Sequence, residues 1–270
     1  MTESSPSSDF LCMEKAAPSS RNDSLFDYEA EEVSVVVFIG CEKSFAPQCE
    51  YHSRLTSSSA EVSDRESSIA WMIKVLECYG FQALTVYLAV NYMDRFLSTG
   101  KLPKEEGWPM QLLSLACLSL AVKMEETVAP SLRDLQIEIP KYVFEGKAVR
   151  RMELVILNQL DWRLRSVTPF NFLEFFAHKV DLTGEFAGYL KLRASQIILA
   201  TVRESRFLLH LPSSIAVSAV LCAAMELPKV PQLEVEEASS WCDGLCKENI
   251  AGCYDLMKGL RVSRKRKADD

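Results

Sequence analysis

The stretch Leu112-Leu113-Ser114-Leu115-Ala116-Cys117-Leu118-Ser119-Leu120-Ala121-Val122 decides the fold. Wound as a helix, it is apolar in nearly every direction rather than along one stripe. Small residues are mixed in, so other helices can approach closely. A helix apolar on all faces belongs at the centre of a bundle. The run is too short to span a bilayer. The predicted helix covers about 109–127 and is ended by Pro130. A stretch of the same character, Ile215-Ala216-Val217-Ser218-Ala219-Val220-Leu221-Cys222-Ala223-Ala224, follows Pro212 and Ser213. It lies roughly a hundred residues later, the kind of self-similarity that marks a duplicated unit.

Amphipathic segments flank each central helix. Ser63 and Glu66 have capping-box spacing, which places the start of order at Ser63. Ile69, Met72, Ile73, Leu76 and Tyr79 then follow helical spacing. Gly80 supplies a left-handed stop. A second helix runs from about 82 to 98. Ser131 and Asp134 read as the cap of a short fourth helix, and a fifth covers about 145–160. After the connector 161–167, Thr168-Pro169 reads as an N-cap and a first-turn proline. A long helix is predicted from about Glu185 towards Leu209, with Ser213 capping the next. Two shorter helices follow, over 235–244 and 247–260.

The expected fold is all-α: two tandem five-helix bundles, 63–165 and 166–262. Residues 1–62 are rich in Ser, Asp and Glu and read as a disordered N-terminal tail. Within it the β-branched run Val33–Ile39 has no assigned place. Residues 263–270 form a short basic tail.

Composition narrows the function classes. The 270 residues carry a formal net charge of −7, which argues against a general nucleic-acid binder. Nine cysteines without framework spacing, several inside apolar stretches, fit buried thiols in a reducing compartment. Cys242 and Cys246 lack a second pair, and His52, His178 and His210 have no metal-ligand spacing. No metal and no cofactor is expected. No phosphate loop, nucleophile elbow or dinucleotide fingerprint is present, so no catalytic residue is assigned and no enzyme activity is expected. Neither a secretory leader nor a membrane span is read from the sequence.

Four motifs, in order and spacing, point to a family. Arg65 to Val75, centred on Trp71, resembles the opening helix of a cyclin box. Asn91-Tyr92-Met93-Asp94-Arg95-Phe96-Leu97 resembles the second-helix signature, and Leu120-Ala121-Val122-Lys123-Met124-Glu125-Glu126 the end of the third helix. Arg151-Met152-Glu153 through Asp161-Trp162-Arg163-Leu164 resembles the fifth helix and its exit. The chain thus resembles a D-type cyclin, of the plant kind, with two cyclin-fold bundles.

The resemblance implies a non-catalytic regulatory subunit. It would activate a cyclin-dependent Ser/Thr kinase at cell-cycle entry (the G1/S transition). Arg65 and Asp94 match a buried structural ion pair. Lys123 and Glu153 match two charges presented to the kinase's regulatory helix, and both are expected to be exposed. Leu120, Met124, Leu157 and Leu164 match the apolar pocket around them. Trp71 and Gln111 remain from a substrate groove whose apolar positions are here Asp64, Ser67 and Ser68, so that groove has become polar. Phe10-Leu11-Cys12-Met13-Glu14 resembles the motif that docks retinoblastoma-type pocket proteins, with Phe10, Cys12 and Glu14 as its fixed positions. Kinase inhibitor proteins are further implied partners. Arg264, Lys265, Arg266 and Lys267 form a basic cluster that fits a nuclear signal, so the nucleus, besides the cytoplasm, is the expected location. Two alternatives carry the same fold: a general initiation factor, which needs a basic face, and a helical adaptor without a kinase.

Overall fold

The computed structural model describes residues 21–103, 107–137, 142–231 and 233–268, with side chains between 32 and 260. All regular structure among them is helical. In chain order the helices are α1 (Arg21–Glu42), α2 (Tyr51–Thr56), α3 (Ser59–Tyr79), α4 (Ala83–Ser98), α5 (Trp108–Glu125) and α6 (Gly146–Gln159). They continue as α7 (Leu173–Val180), α8 (Ala187–Thr201), α9 (Pro212–Ala224), α10 (Val235–Ala238) and α11 (Lys247–Ala268). Short 3₁₀ turns cover Lys43–Phe45, Pro169–Phe172 and Ser205–Leu209.

The two small-residue helices are the two centres. On α5 every residue from Leu112 to Val122 is buried, and on α9 every residue from Ser213 to Ala224. Around α5, the residues Ile69, Met72, Val86, Met93, Val149 and Ile156 close the first core. Around α9, Phe172, Phe176, Leu190, Ile198, Cys253 and Met257 close the second. At about 25 cal/mol per Å² of apolar surface, burial of this kind is the dominant favourable term. The cores meet where α4 packs on α8, and Tyr87 touches both.

Several expectations are corrected. Residues 21–62 are not a structureless tail: they hold α1 and α2. The unplaced run Val33–Ile39 is part of α1. Val35 is 2% exposed in the second core, and Phe38 packs edge-on against Phe172 at 6.1 Å. α1 closes against Gly244, whose φ of 91° already excludes most residues; a Cβ there would lie 2.8 Å from Ile39 Cγ2. Helix α3 begins at Ser59 rather than Ser63, because the Ser58 hydroxyl accepts from the Glu61 amide and caps the helix one turn earlier. Gly80, at φ 68°, does end that helix.

Ser131 and Asp134 do pair, but they frame turns, and among the described residues no fourth helix follows them. The Gln136 side chain accepts from the Phe144 amide at 2.7 Å and donates to Phe144 O at 3.0 Å, fastening the turn to the segment before α6. The predicted helix 185–209 ends at Thr201, where the chain turns and Glu204 caps the separate 3₁₀ turn. The backbone of the basic tail is not separate: α11 runs through it to Ala268.

The Ser213 hydroxyl does not cap α9 itself. Ser213 N and Oγ both donate, at 2.8 Å, to the carboxylate of Glu42, the last residue of α1. A buried anion at a helix N-terminus satisfies orphan amides and meets the helix dipole. The same device recurs in the first bundle: Glu126, just past α5, accepts from the Gln82 amide and the Thr85 hydroxyl at the start of α4.

Candidate functional site

Lys123 lies in the last turn of α5, where the dipole favours a cation. Glu153 faces it from the middle of α6. Lys123 Nζ lies 2.6 and 2.7 Å from the two carboxylate oxygens, and Ser119 Oγ donates to Glu153 Oε1 at 2.6 Å. The pair is asymmetric: the Lys123 side chain is 46% exposed, that of Glu153 only 9%. Glu153 is therefore not an exposed charge, as expected from sequence, but a buried acceptor that orients a half-exposed lysine.

The four apolar residues assigned around the pair divide. Leu120 and Leu164 are buried and Leu157 packs against the first core, so these three serve folding. Met124 is exposed. Two further apolar residues of α6, Leu154 and Val155, are also exposed, but helical spacing turns them away from the side on which Glu153 meets Lys123. Their signal was available: they fall outside the inward spacing of Val149, Met152, Ile156 and Leu160. The half-exposed cation stands next in sequence to the exposed Met124, an apolar side chain that water does not favour.

Behind this face, Arg65 on α3 and Asp94 on α4 are brought together. Arg65 Nε and Nη2 each donate to the carboxylate at 2.8 Å, with both residues 2% exposed. Tyr51 of α2 was not identified from sequence; its hydroxyl donates to Asp94 Oδ1 at 2.9 Å. Burial disfavours the charge on Arg65, but Asp94 outweighs it and the guanidinium is held above its usual range. Burial, followed by Asp94, pushes the Tyr51 phenol up, so it stays a donor. The triad ties α2, α3 and α4 together.

Trp71 donates Nε1 to Ile137 O at 2.8 Å and lines a groove of ≈ 360 Å³. Asp64, Ser67, Ser68, Lys74 and Gln111 line it too, and among the described residues the buried Gln111 side-chain oxygen has no hydrogen-bond partner. Phe10, Cys12 and Glu14 lie outside the described residues, as do the side chains of Arg264, Lys265, Arg266 and Lys267.

Comparison with known proteins gives this geometry its context. The model of the cyclin N-terminal domain matches residues 37–165, and that of the cyclin C-terminal domain matches 167–269. Cyclin-D1-1 of Arabidopsis thaliana is 49% identical over 266 residues, covering 96% of this chain and 78% of that protein. Cyclin-D2-1 of Oryza sativa subsp. japonica is 48% identical over 229 residues, covering 85% and 70%. Among solved structures, a chain of the yeast RNA Pol II CTD kinase CTDK-1 complex superposes with a TM-score of 0.58 at 16% identity. The match covers 78% of this chain and 71% of that one. At that identity it is a likeness of fold. Two cyclin domains in tandem, with plant relatives near half identity, are decisive: the chain belongs to the cyclin family, in its plant D-type branch.

Proposed function

We propose that this cyclin is the regulatory subunit of a cyclin-dependent Ser/Thr kinase and acts at the G1/S transition. The observation that carries the reading is the Lys123–Glu153 pair, held by Ser119 and next to the exposed Met124. Isolated in water, such an ion pair contributes about 0–1 kcal/mol. Covered by a partner's helix, the lysine becomes a desolvated, directional contact beside an apolar side chain, the composition of a binding hot spot.

Activation would be conformational. A kinase needs its Lys–Glu pair and its metal-binding Asp in place together, and both depend on the position of its regulatory helix. The Arg65–Asp94–Tyr51 triad keeps the docking face stiff. A stiff face favours one arrangement of that helix, and shifts the equilibrium only by its differential affinity for the two states. No group-transfer chemistry is assigned to the cyclin itself.

The tail motif Phe10, Cys12 and Glu14 would bring retinoblastoma-type pocket proteins to the kinase, raising their local concentration. The cluster Arg264–Lys267 would direct the complex to the nucleus. The test is co-expression with a panel of cyclin-dependent kinases, reading phosphorylation of histone and of a pocket protein. Activation by the wild-type chain and loss with Lys123→Glu, at unchanged helicity, is expected. If saturating wild-type cyclin leaves every kinase inactive, the proposal fails.

A further inference from the structure

A second cavity, of ≈ 290 Å³, opens away from Lys123, between the end of α4, the 43–50 linker and the chain leaving α6. Ser44, Gln48, Arg95, Ser98, Asp161 and Arg163 are among its lining residues. Arg95 is the unusual one. It is 8% exposed, yet its Nη1 donates only to neutral acceptors, Arg163 O at 2.9 Å and Ser166 Oγ at 3.1 Å. Among the described residues its Nε and Nη2 make no hydrogen bond, and it forms no ion pair.

A second guanidinium stands beside it. Arg163 Nη2 donates to Ser44 Oγ at 2.8 Å, and both arginines lie over the Phe45 ring, 5.5 and 4.6 Å from its centre. Lys101 adds a third cation, donating to Gln159 Oε1 at 2.6 Å, and Gln159 lines the same cavity. The carboxylate in the lining is Asp161, which is exposed. Burial, then the neighbouring Arg163, push the Arg95 guanidinium below its ordinary value, against the pull of Tyr92 and Asp161. Taking an arginine out of water without a counter-ion is costly, and proteins offset that cost by pairing it.

We propose that this cavity binds the phosphate monoester of a phosphorylated peptide, with Arg95 and Arg163 as the two forks that take its oxygens. Two guanidiniums and a lysine supply more charge than one carboxylate uses, and match a dianion with three acceptor oxygens. A nucleic acid is disfavoured, because a polyanion would run over a chain of net charge −7. None of the residues that carry the site belongs to the face around Lys123, so it stands or falls independently of kinase binding.

The test uses the full chain and a fluorescein-labelled pool of phosphoserine octapeptides with degenerate flanks, read by anisotropy beside its unphosphorylated twin. Binding at least about tenfold tighter for the phosphorylated pool is expected, a difference of about 1.4 kcal/mol. Inorganic phosphate should compete, and rising salt should weaken the complex. Arg163→Gln should cost at least about tenfold while leaving the melting temperature unchanged, since Arg163 is exposed and its loss leaves no buried charge unpaired. Equal affinity for the two pools overturns the proposal. So does an Arg163→Gln variant that binds the phosphorylated pool as wild type does.

Discussion

Removing the Asp94 carboxylate is the sharpest probe of how the first bundle is held. Asp94 accepts three hydrogen bonds, two from Arg65 at 2.8 Å and one from Tyr51 at 2.9 Å, and all three residues are 2% exposed. Asp94→Ala strands the arginine, at a cost of about 3–5 kcal/mol for an uncompensated buried charge. It also orphans the tyrosine hydroxyl, at about 1–3 kcal/mol. These costs overlap, so a total of about 4–6 kcal/mol is expected. At roughly 2–4 °C per kcal/mol for a protein of this size, that is a fall in Tm of about 8–24 °C. The counterpart is Arg65→Met with Asp94→Leu, which removes both charges and fills the volume; only the Tyr51 hydroxyl is then orphaned, so it should cost about 1–3 kcal/mol. Urea unfolding of the single and double variants measures both. An Asp94→Ala loss under about 1 kcal/mol, or a double variant as unstable as the single, would refute the view that a stranded charge dominates.

Four other outcomes are expected. Glu42→Ala should cost about 1–3 kcal/mol by orphaning the Ser213 amide and hydroxyl, whereas Glu42→Gln should cost little; paired thermal melts at pH 7 distinguish them. Burial raises the Glu42 carboxyl above its ordinary 4.5, against the hydrogen bonds from Ser213. The folded chain therefore favours the neutral acid: this stabilisation is full below about pH 4.5 and fades as pH rises through the higher folded value, a slope that Glu42→Gln should abolish. Gly244→Ala should loosen α1 and increase its hydrogen exchange, because a Cβ meets Ile39 at 2.8 Å. Glu153→Gln should lower both stability and kinase activation, since the residue is buried, and Lys123→Gln should lower activation and also cost stability by leaving the buried Glu153 without its cation, as urea titration beside a kinase assay would show.

What was legible in the sequence follows from how local the signal is. Helices α5 and α9 are written in their own composition, apolar on all sides, and need no partner to be recognised. Helix α1 is not. Its apolar residues run together from Val33 to Ile39 with no helical spacing, its first half is rich in acidic residues, and Val35 and Phe38 make sense only against Phe172 and α9. Ser63 misled because Ser58 carries the same chemistry and starts the helix about one turn earlier, and an acceptor with a free amide in reach decides between them. The Lys123–Glu153 pair could be named from its resemblance, but its asymmetry could not. Which partner is buried depends on Ser119, a residue that reads as mere small filling in the central helix. Tyr51 and Arg95 were invisible for a similar reason: their partners lie far along the chain, and nothing in their own neighbourhoods marks them as buried.

The contact between Glu42 and Ser213 spans 171 positions of sequence. During synthesis at about 5–20 residues per second, α1 emerges roughly ten to thirty seconds before the helix it caps. The first bundle can close in that interval, since its core draws almost wholly on residues up to Leu164. Helix α1 cannot, because its docking surface on α7, α9 and Gly244 does not yet exist. Until then Val35, Phe38 and Ile39, which the folded chain packs into the second core, stay uncovered beside Val33, Val36 and Val37, which face water throughout. That is the window in which a chaperone or a degradation enzyme would find it.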